Sequence, residues 1–105
     1  MRVRLKEDSW IAKLAARKLR SNKVAITIGS TIYLHRCSKQ DFLKNRSWAC
    51  HEVKHVIQFR QYGLLNFTIM YLWESLKKGY YNNKWEVAAR AAENDFGLLH
   101  GIEFV

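Results

Sequence analysis

Apolar residues recur at intervals of three and four through Trp10, Ile11, Leu14, Ala15 and Leu19, the spacing that gathers side chains onto one face of an α-helix. Asp8 or Ser9 can cap the first turn and Ser21-Asn22 ends it, so an amphipathic helix with a basic outer face is predicted over about residues 9–21. The pattern then changes. Val24-Ala25-Ile26-Thr27-Ile28 and Thr31-Ile32-Tyr33-Leu34-His35 are β-branched and aromatic runs around Gly29-Ser30, which predicts a hairpin with a two-residue turn.

Ser38 to Arg46 is polar and reads as a connection or a short helical turn. Ser47 can cap a helix that carries Trp48, His51, Glu52, His55, Val56 and Phe59 and stops at Gly63. Helical spacing returns from Asn66 to Lys78 through Phe67, Met70, Tyr71, Trp73 and Leu76, with Gly79 just beyond. Asn82 or Asn83 caps a fourth helix through Val87, Ala88, Ala91 and Ala92 that stops near Gly97. Leu98 to Val105 has no helical period and is apolar enough to be extended and packed. With no proline, repeat or linker to divide it, the chain reads over residues 1–105 as a single α+β domain of about four helices and a small β-sheet containing the hairpin.

At 105 residues such a domain buries one modest core, and 49% hydrophobic residues exclude a disordered chain. The net charge of +9 raises nucleic acid, anionic membranes and acidic substrates as partners. The basic residues concentrate between Arg2 and Lys23 and are otherwise scattered among apolar positions, which fits a solvated basic face better than a nucleic-acid site. Cys37 and Cys50 make neither a disulfide scaffold nor a four-cysteine metal cage. The N-terminus has no apolar signal core, and the run Leu64–Trp73 is too short to span a bilayer and is broken by Asn66 and Thr68. The expectation is a soluble, cytoplasmic protein, with peripheral membrane contact left open through Phe67, Tyr71, Trp73 and the basic first helix.

Candidate chemistry centres on Cys50-His51-Glu52-Val53-Lys54-His55. H-E-x-x-H on a helix puts two imidazoles on one face, able to reach one metal ion, with the glutamate beside them as a general base. Zinc in a hydrolase takes three protein ligands and leaves a position for water, so a third ligand is required. One large class takes it from a histidine six residues after the second one, but that position is Gln61, and the glycine expected three residues earlier is Gln58. Glu86, near the start of the fourth helix, suits the class that uses a later glutamate. Two roles are open to Glu86: metal ligand, or the third helical position of a capping box with Asn83. His100, Glu93 and Asp95 are further residues of ligand type.

His51-Glu52-x-x-His55, the upstream Ala25-x-Thr27-x-Gly29-x-x-Ile32 run and Glu86-x-x-Ala89 preceded by Asn83 resemble the gluzincin metallopeptidases. The whole chain from residue 9 is similar to the minigluzincins, minimal soluble peptidases that resemble the catalytic domains of certain integral-membrane peptidases. That resemblance implies a zincin-like fold, zinc held by His51, His55 and Glu86, and Glu52 as the general base. It maps Thr31, Ile32, Tyr33 and Leu34 onto a rim strand that pairs with an extended peptide or protein substrate. Many relatives carry an Asp four residues after the ligand Glu as a buttress for a ligand His; here that residue is Arg90, leaving Glu93 or Asn94 for the task. Tyr80, Tyr81 and His100 have the right chemistry to stabilise an oxyanion. The resemblance also implies latency, with residues 97–105 as an autoinhibitory tail and Ile102, Glu103, Phe104 and Val105 lying in the cleft of a zymogen, although the same residues suit an ordinary terminal strand or a frayed end. The expected function is a zinc-dependent endopeptidase; the alternative is a basic nucleic-acid-binding or membrane-surface module without catalysis.

Overall fold

Arg2-Val3-Arg4-Leu5-Lys6 alternates charged and apolar residues, and in the computed structural model, which describes residues 1–19 and 22–105, it is the first strand, β1 (Arg2–Lys6), with Val3 and Leu5 buried. No strand is expected there from the sequence pattern, in which these charges belong to the basic N-terminus. Helix α1 (Trp10–Leu19) follows, capped by the Ser9 hydroxyl, which accepts the Ile11 N–H at 3.2 Å. The predicted end of this helix at Ser21 lies outside the described residues.

The hairpin forms as predicted from β2 (Val24–Ile28) and β3 (Thr31–His35). Ile28 pairs with Thr31, leaving a two-residue loop in which Gly29 takes a φ of 64°, open to glycine at little cost. β1 pairs in parallel with β3, and β4 (Glu103–Phe104) pairs in parallel with β1, giving a mixed sheet in the order β2-β3-β1-β4.

Side-chain alternation sends each strand's residues to two different layers. Val24, with Ile26 and Tyr33 beside it, packs against Ala12 and Ala16 of α1. On the opposite face Val3, Leu5, Ile32 and Leu34 pack with Phe42 of α2 (Lys39–Lys44) and with Ala49 and Val56 of α3 (Arg46–Tyr62). Ile102 and Phe104 join this second core. The sheet therefore lies between α1 and α3, an α+β fold with five helices and four strands among the described residues.

Two further helices, α4 (Leu64–Asn82), broken as expected at Gly79 where the backbone turns to φ 80°, and α5 (Lys84–Ala91), pack on α3, and the chain then makes a short 3₁₀ turn at Phe96–Leu99. An aromatic cluster pins them: Phe67 meets Phe59 at 4.6 Å and Trp85 at 5.2 Å between ring centres, and Trp85 meets Tyr62 at 5.3 Å. Element boundaries moved where local caps competed. Asn45, not Ser47, caps α3 by accepting the Trp48 N–H at 3.1 Å. Gly63, with φ 87°, closes α3 and opens α4 within one residue, so α4 starts at Leu64 rather than Asn66. α5 stops at Ala91, because the Ala92 N–H already shares the Ala88 and Ala89 carbonyls in a tightened last turn, and residues up to Gly97 are not part of it.

Asn83 holds the start of α5 and is fully buried. Its Oδ1 accepts the Trp85 N–H at 2.9 Å while its Nδ2 donates to the Tyr71 carbonyl at 3.0 Å and the Ser75 hydroxyl at 2.8 Å. Buried Glu74 accepts the Lys84 N–H at 3.2 Å, a further tie between α4 and α5. Replacing Asn83 with Ala removes a cap and orphans buried partners, so Asn83→Ala is expected to cost about 2 kcal/mol. Urea unfolding should show a lower midpoint with an unchanged slope.

Candidate metal centre

Four residues apart on α3, His51 and His55 share a face, with ring centres 5.1 Å apart. That face meets the first turn of α5, and the two Nε2 atoms point at opposite oxygens of one carboxylate: His51 Nε2 lies 3.0 Å from Glu86 Oε1 and His55 Nε2 lies 3.1 Å from Glu86 Oε2. Ligand atoms of His51, His55 and Glu86 lie within 4.8 Å of one another, close enough to hold a metal ion.

The far side of each imidazole decides what the near side can do. His51 Nδ1 is 2.8 Å from Glu93 Oε2. His55 Nδ1 is 2.9 Å from Gln58 Oε1, and the Gln58 amide is oriented by its NH₂ group, which donates to the Trp85 carbonyl at 3.2 Å. Both Nδ1 atoms therefore carry hydrogen and donate. What remains is two Nε2 lone pairs and a carboxylate converging on one space, an arrangement that repels itself unless two protons or one cation lie there. The fixed Nδ1–H groups are also the outer bonds by which metal-binding imidazoles are aimed.

Burial works against charging His51, but its bonds to Glu86 and Glu93 and the charge of Glu52 outweigh it and push its pKa up to about 9. His55 is raised for the same reasons, with burial again opposed by Glu86 and Glu52. Burial also works to raise Glu86, yet the bonds from His51, His55 and Tyr71 hold its carboxyl well below the usual carboxylate range. Glu52 moves the other way: it is almost fully buried, and desolvation raises it against the pull of the two histidines. Thr27 of β2 donates to Glu52 Oε1 at 2.8 Å.

Glu52, His55 and Glu86 line a cleft of ≈ 280 Å³ whose other walls are β2 from Ala25 to Ile28, Phe59 of α3, and Phe67, Tyr71 and Leu72 of α4. Tyr71 donates to Glu86 Oε2 at 2.5 Å, and Tyr80 also lines the cleft. Burial and the neighbouring Glu86 push both phenols up, so both stay protonated and able to donate.

Residues 1–63 match the family described as the eCIS core domain, 63 of the 105 residues of the chain. The chain belongs to the eCIS core domain family. No curated protein and no solved structure matches it. The span shared with the eCIS core domain family runs from β1 through α3 and carries His51, Glu52 and His55, whereas Glu86, Glu93 and Tyr71 lie beyond it.

In this eCIS core domain chain Glu86 does not take the capping-box role. The Asn83 N–H bonds to the Tyr80 carbonyl at 3.3 Å, and the Glu86 side chain turns to the histidines instead of its own helix end. Glu93, not Asn94, buttresses His51. Other expectations are corrected. Thr31, Ile32, Tyr33 and Leu34 form an interior strand, hydrogen-bonded to β2 on one side and β1 on the other, so β3 has no edge to offer a substrate; the edge facing the cleft is β2. Glu103, Phe104 and Val105 are bound to β1 at the opposite end of the sheet, with Val105 N–H bonded to the Val3 carbonyl at 2.9 Å, Ile102 packs on the core, and none of the four lines the cleft. The apolar residues of this segment gain more from the core than from the cleft mouth. Tyr81 turns outward, its ring 4.0 Å from the Arg90 guanidinium, and His100 is exposed beside the 3₁₀ turn; neither lines the cleft. Cys50 is buried with its thiol on the Asp95 carbonyl at 3.4 Å, away from the ligand atoms.

Thr27, Gln58 and Tyr71 are not among the site residues expected from the sequence, where Thr27 enters only in the strand pattern and Tyr71 only as a membrane-contact residue. Gln58 had a signal, one helical turn beyond His55 on the same face; Thr27 and Tyr71 reach the site only through the fold.

Divalent metal is expected to bind with one ion per chain, and His51→Ala and Glu86→Ala should each abolish it. Glu93→Gln and Gln58→Ala should weaken it roughly 10- to 100-fold while leaving the ligands in place. At pH 7 calorimetry in buffers of different ionisation enthalpy should register release of protons on metal binding, because His51, pushed up to about 9, must shed its proton to bind. Without metal, the stability supplied by His51 is fully present below its ordinary 6.5 and lost as pH rises through about 9.

Proposed function

We propose that this eCIS core domain chain is a zinc-dependent endopeptidase of the gluzincin type. The observation that carries the reading is the convergence of His51 Nε2, His55 Nε2 and the Glu86 carboxylate, with the buried Glu52 carboxylate beside them at the base of a cleft. Two imidazoles and one carboxylate form the donor set of catalytic zinc sites that leave a position open. When bound, zinc supplies Lewis acidity, polarising a carbonyl and acidifying water.

The side chains do the rest. Glu52, raised by burial, takes a proton from the attacking water and returns it to the departing amine, while Thr27 holds one of its oxygens. Tyr71 fixes Glu86 from the α4 side. The role of donor to a developing oxyanion falls in this reading to Tyr80, supported by its protonated phenol on the cleft wall. β2 takes the substrate-aligning role first expected of β3: no other strand among the described residues pairs with its outer edge, and an extended peptide can add there through backbone hydrogen bonds. Latency through residues 102–105 drops out, since they are committed to β1.

Cleavage of a quenched fluorescent peptide library by zinc-loaded protein should be lost on chelation and restored by zinc. Glu52→Gln should lower turnover on the order of a thousandfold with metal content unchanged. Undiminished activity in that variant, or elemental analysis that finds iron in place of zinc, would sink the hydrolase reading, because the same donor set also serves non-haem iron oxygenases.

A further inference from the structure

Helix α4 is apolar on two faces and the fold uses one of them. Phe67 turns inward onto Phe59 and Trp85, and Tyr71 reaches Glu86. Leu65, Ile69, Leu72 and Leu76, spaced by four, three and four residues, form a stripe on the other side. All are more than half exposed, from 58% for Ile69 to 78% for Leu76, and Trp73 beside them is 60% exposed. Single apolar side chains at a surface need no account, but a continuous stripe of this length marks a contact face. Leu72 also lines the cleft, so the stripe runs to its mouth.

The surrounding charge indicates what covers it. Between Val53 and Ala92 the only acidic residues are Glu74 and Glu86, and both are buried. Arg60, Lys77, Lys78 and Lys84 are exposed over the same span. Glu74 lies 3.5 Å from the Lys77 amino group and 3.6 Å from that of Lys78 and offsets one of the two charges. The span that carries the stripe thus presents cations and no exposed carboxylate. A second copy of the chain would set two such positive faces against each other, whereas an anionic bilayer satisfies both features: headgroups meet the lysines, and the aliphatic side chains and Trp73 enter the boundary with the acyl chains.

We propose that the outer face of α4 docks this protein on the surface of an anionic lipid bilayer, with the helix lying in the plane of the interface. Contact is peripheral, since no described helix is long and apolar enough to cross a membrane. Of the residues expected from sequence to touch a membrane, Trp73 lies on this face, while Phe67 and Tyr71 are turned into the protein.

The test is co-sedimentation of the full chain with vesicles of phosphatidylcholine alone and of phosphatidylcholine with about 30% phosphatidylglycerol, whose headgroup charge drives such binding. Binding should be strong only to the anionic vesicles and should weaken with salt. Leu65→Ser/Leu76→Ser should reduce it by at least about tenfold through lost apolar burial. Lys77→Gln/Lys78→Gln should reduce it and flatten its salt dependence. Circular dichroism and an unchanged urea midpoint would show both variants folded. No binding to anionic vesicles, or equal binding by the folded leucine variant, would overturn the proposal. So would a dimer in sedimentation velocity that the leucine variant abolishes, which would assign the face to a second copy.

Discussion

Glu86 carries a charge in the interior of a small domain, and a buried carboxylate persists there only if opposite charge or hydrogen-bond donors surround it. His51 and His55 meet its two oxygens from α3, and Tyr71 adds a donor from α4. Three helices are thereby tied to one side chain. The imidazoles are in turn aimed from behind by Glu93 and Gln58, so no ring can rotate away without losing a buried bond. A network of this kind is favourable only when every member is satisfied. Two protons satisfy it, and so does one cation, which is the physical content of the metal-site assignment.

The sheet serves that network from the other side. Its inner face supplies the apolar bed against which α3 lies, and the bed fixes the roll of the helix, so that Ala49, Val53 and Val56 face inward while His51 and His55 face α5. Order within the sheet matters as much as its packing. Placing β2 at one edge and β4 at the other separates the strand beside the cleft from residues 102–105 by the width of the sheet. Thr27 then reaches Glu52 from the edge strand, and the backbone of that strand remains exposed along the cleft.

How much of this is legible in the sequence depends on the distance over which each interaction acts. H-E-x-x-H was readable because its members lie within one and a half turns of a single helix, where spacing alone sets geometry. The hairpin was readable because Gly29-Ser30 is a local turn between two runs of strand residues. Glu86 was ambiguous for a definite reason: the third position of a capped helix is where both a capping carboxylate and a metal-facing one would stand, and only the path of the Asn83 N–H to the Tyr80 carbonyl separates them. β1 was legible in principle, in the strict alternation from Arg2 to Lys6, but strand character there depends on β3 and β4 arriving on either side.

By itself the sequence determined two of the donors, His51 and His55, the helix that carries them, the glutamate between them and the basic balance of the span from Val53 to Ala92. Those properties follow from residue type and from spacing within a few residues. Tertiary structure decided that Glu86 faces the histidines, that Glu93, Gln58, Thr27 and Tyr71 support the site, that β2 rather than β3 borders the cleft, and that residues 102–105 complete the sheet. Each of these rests on groups brought together from distant parts of the chain, where the competing partners have the same chemistry and packing of the shared core makes the choice.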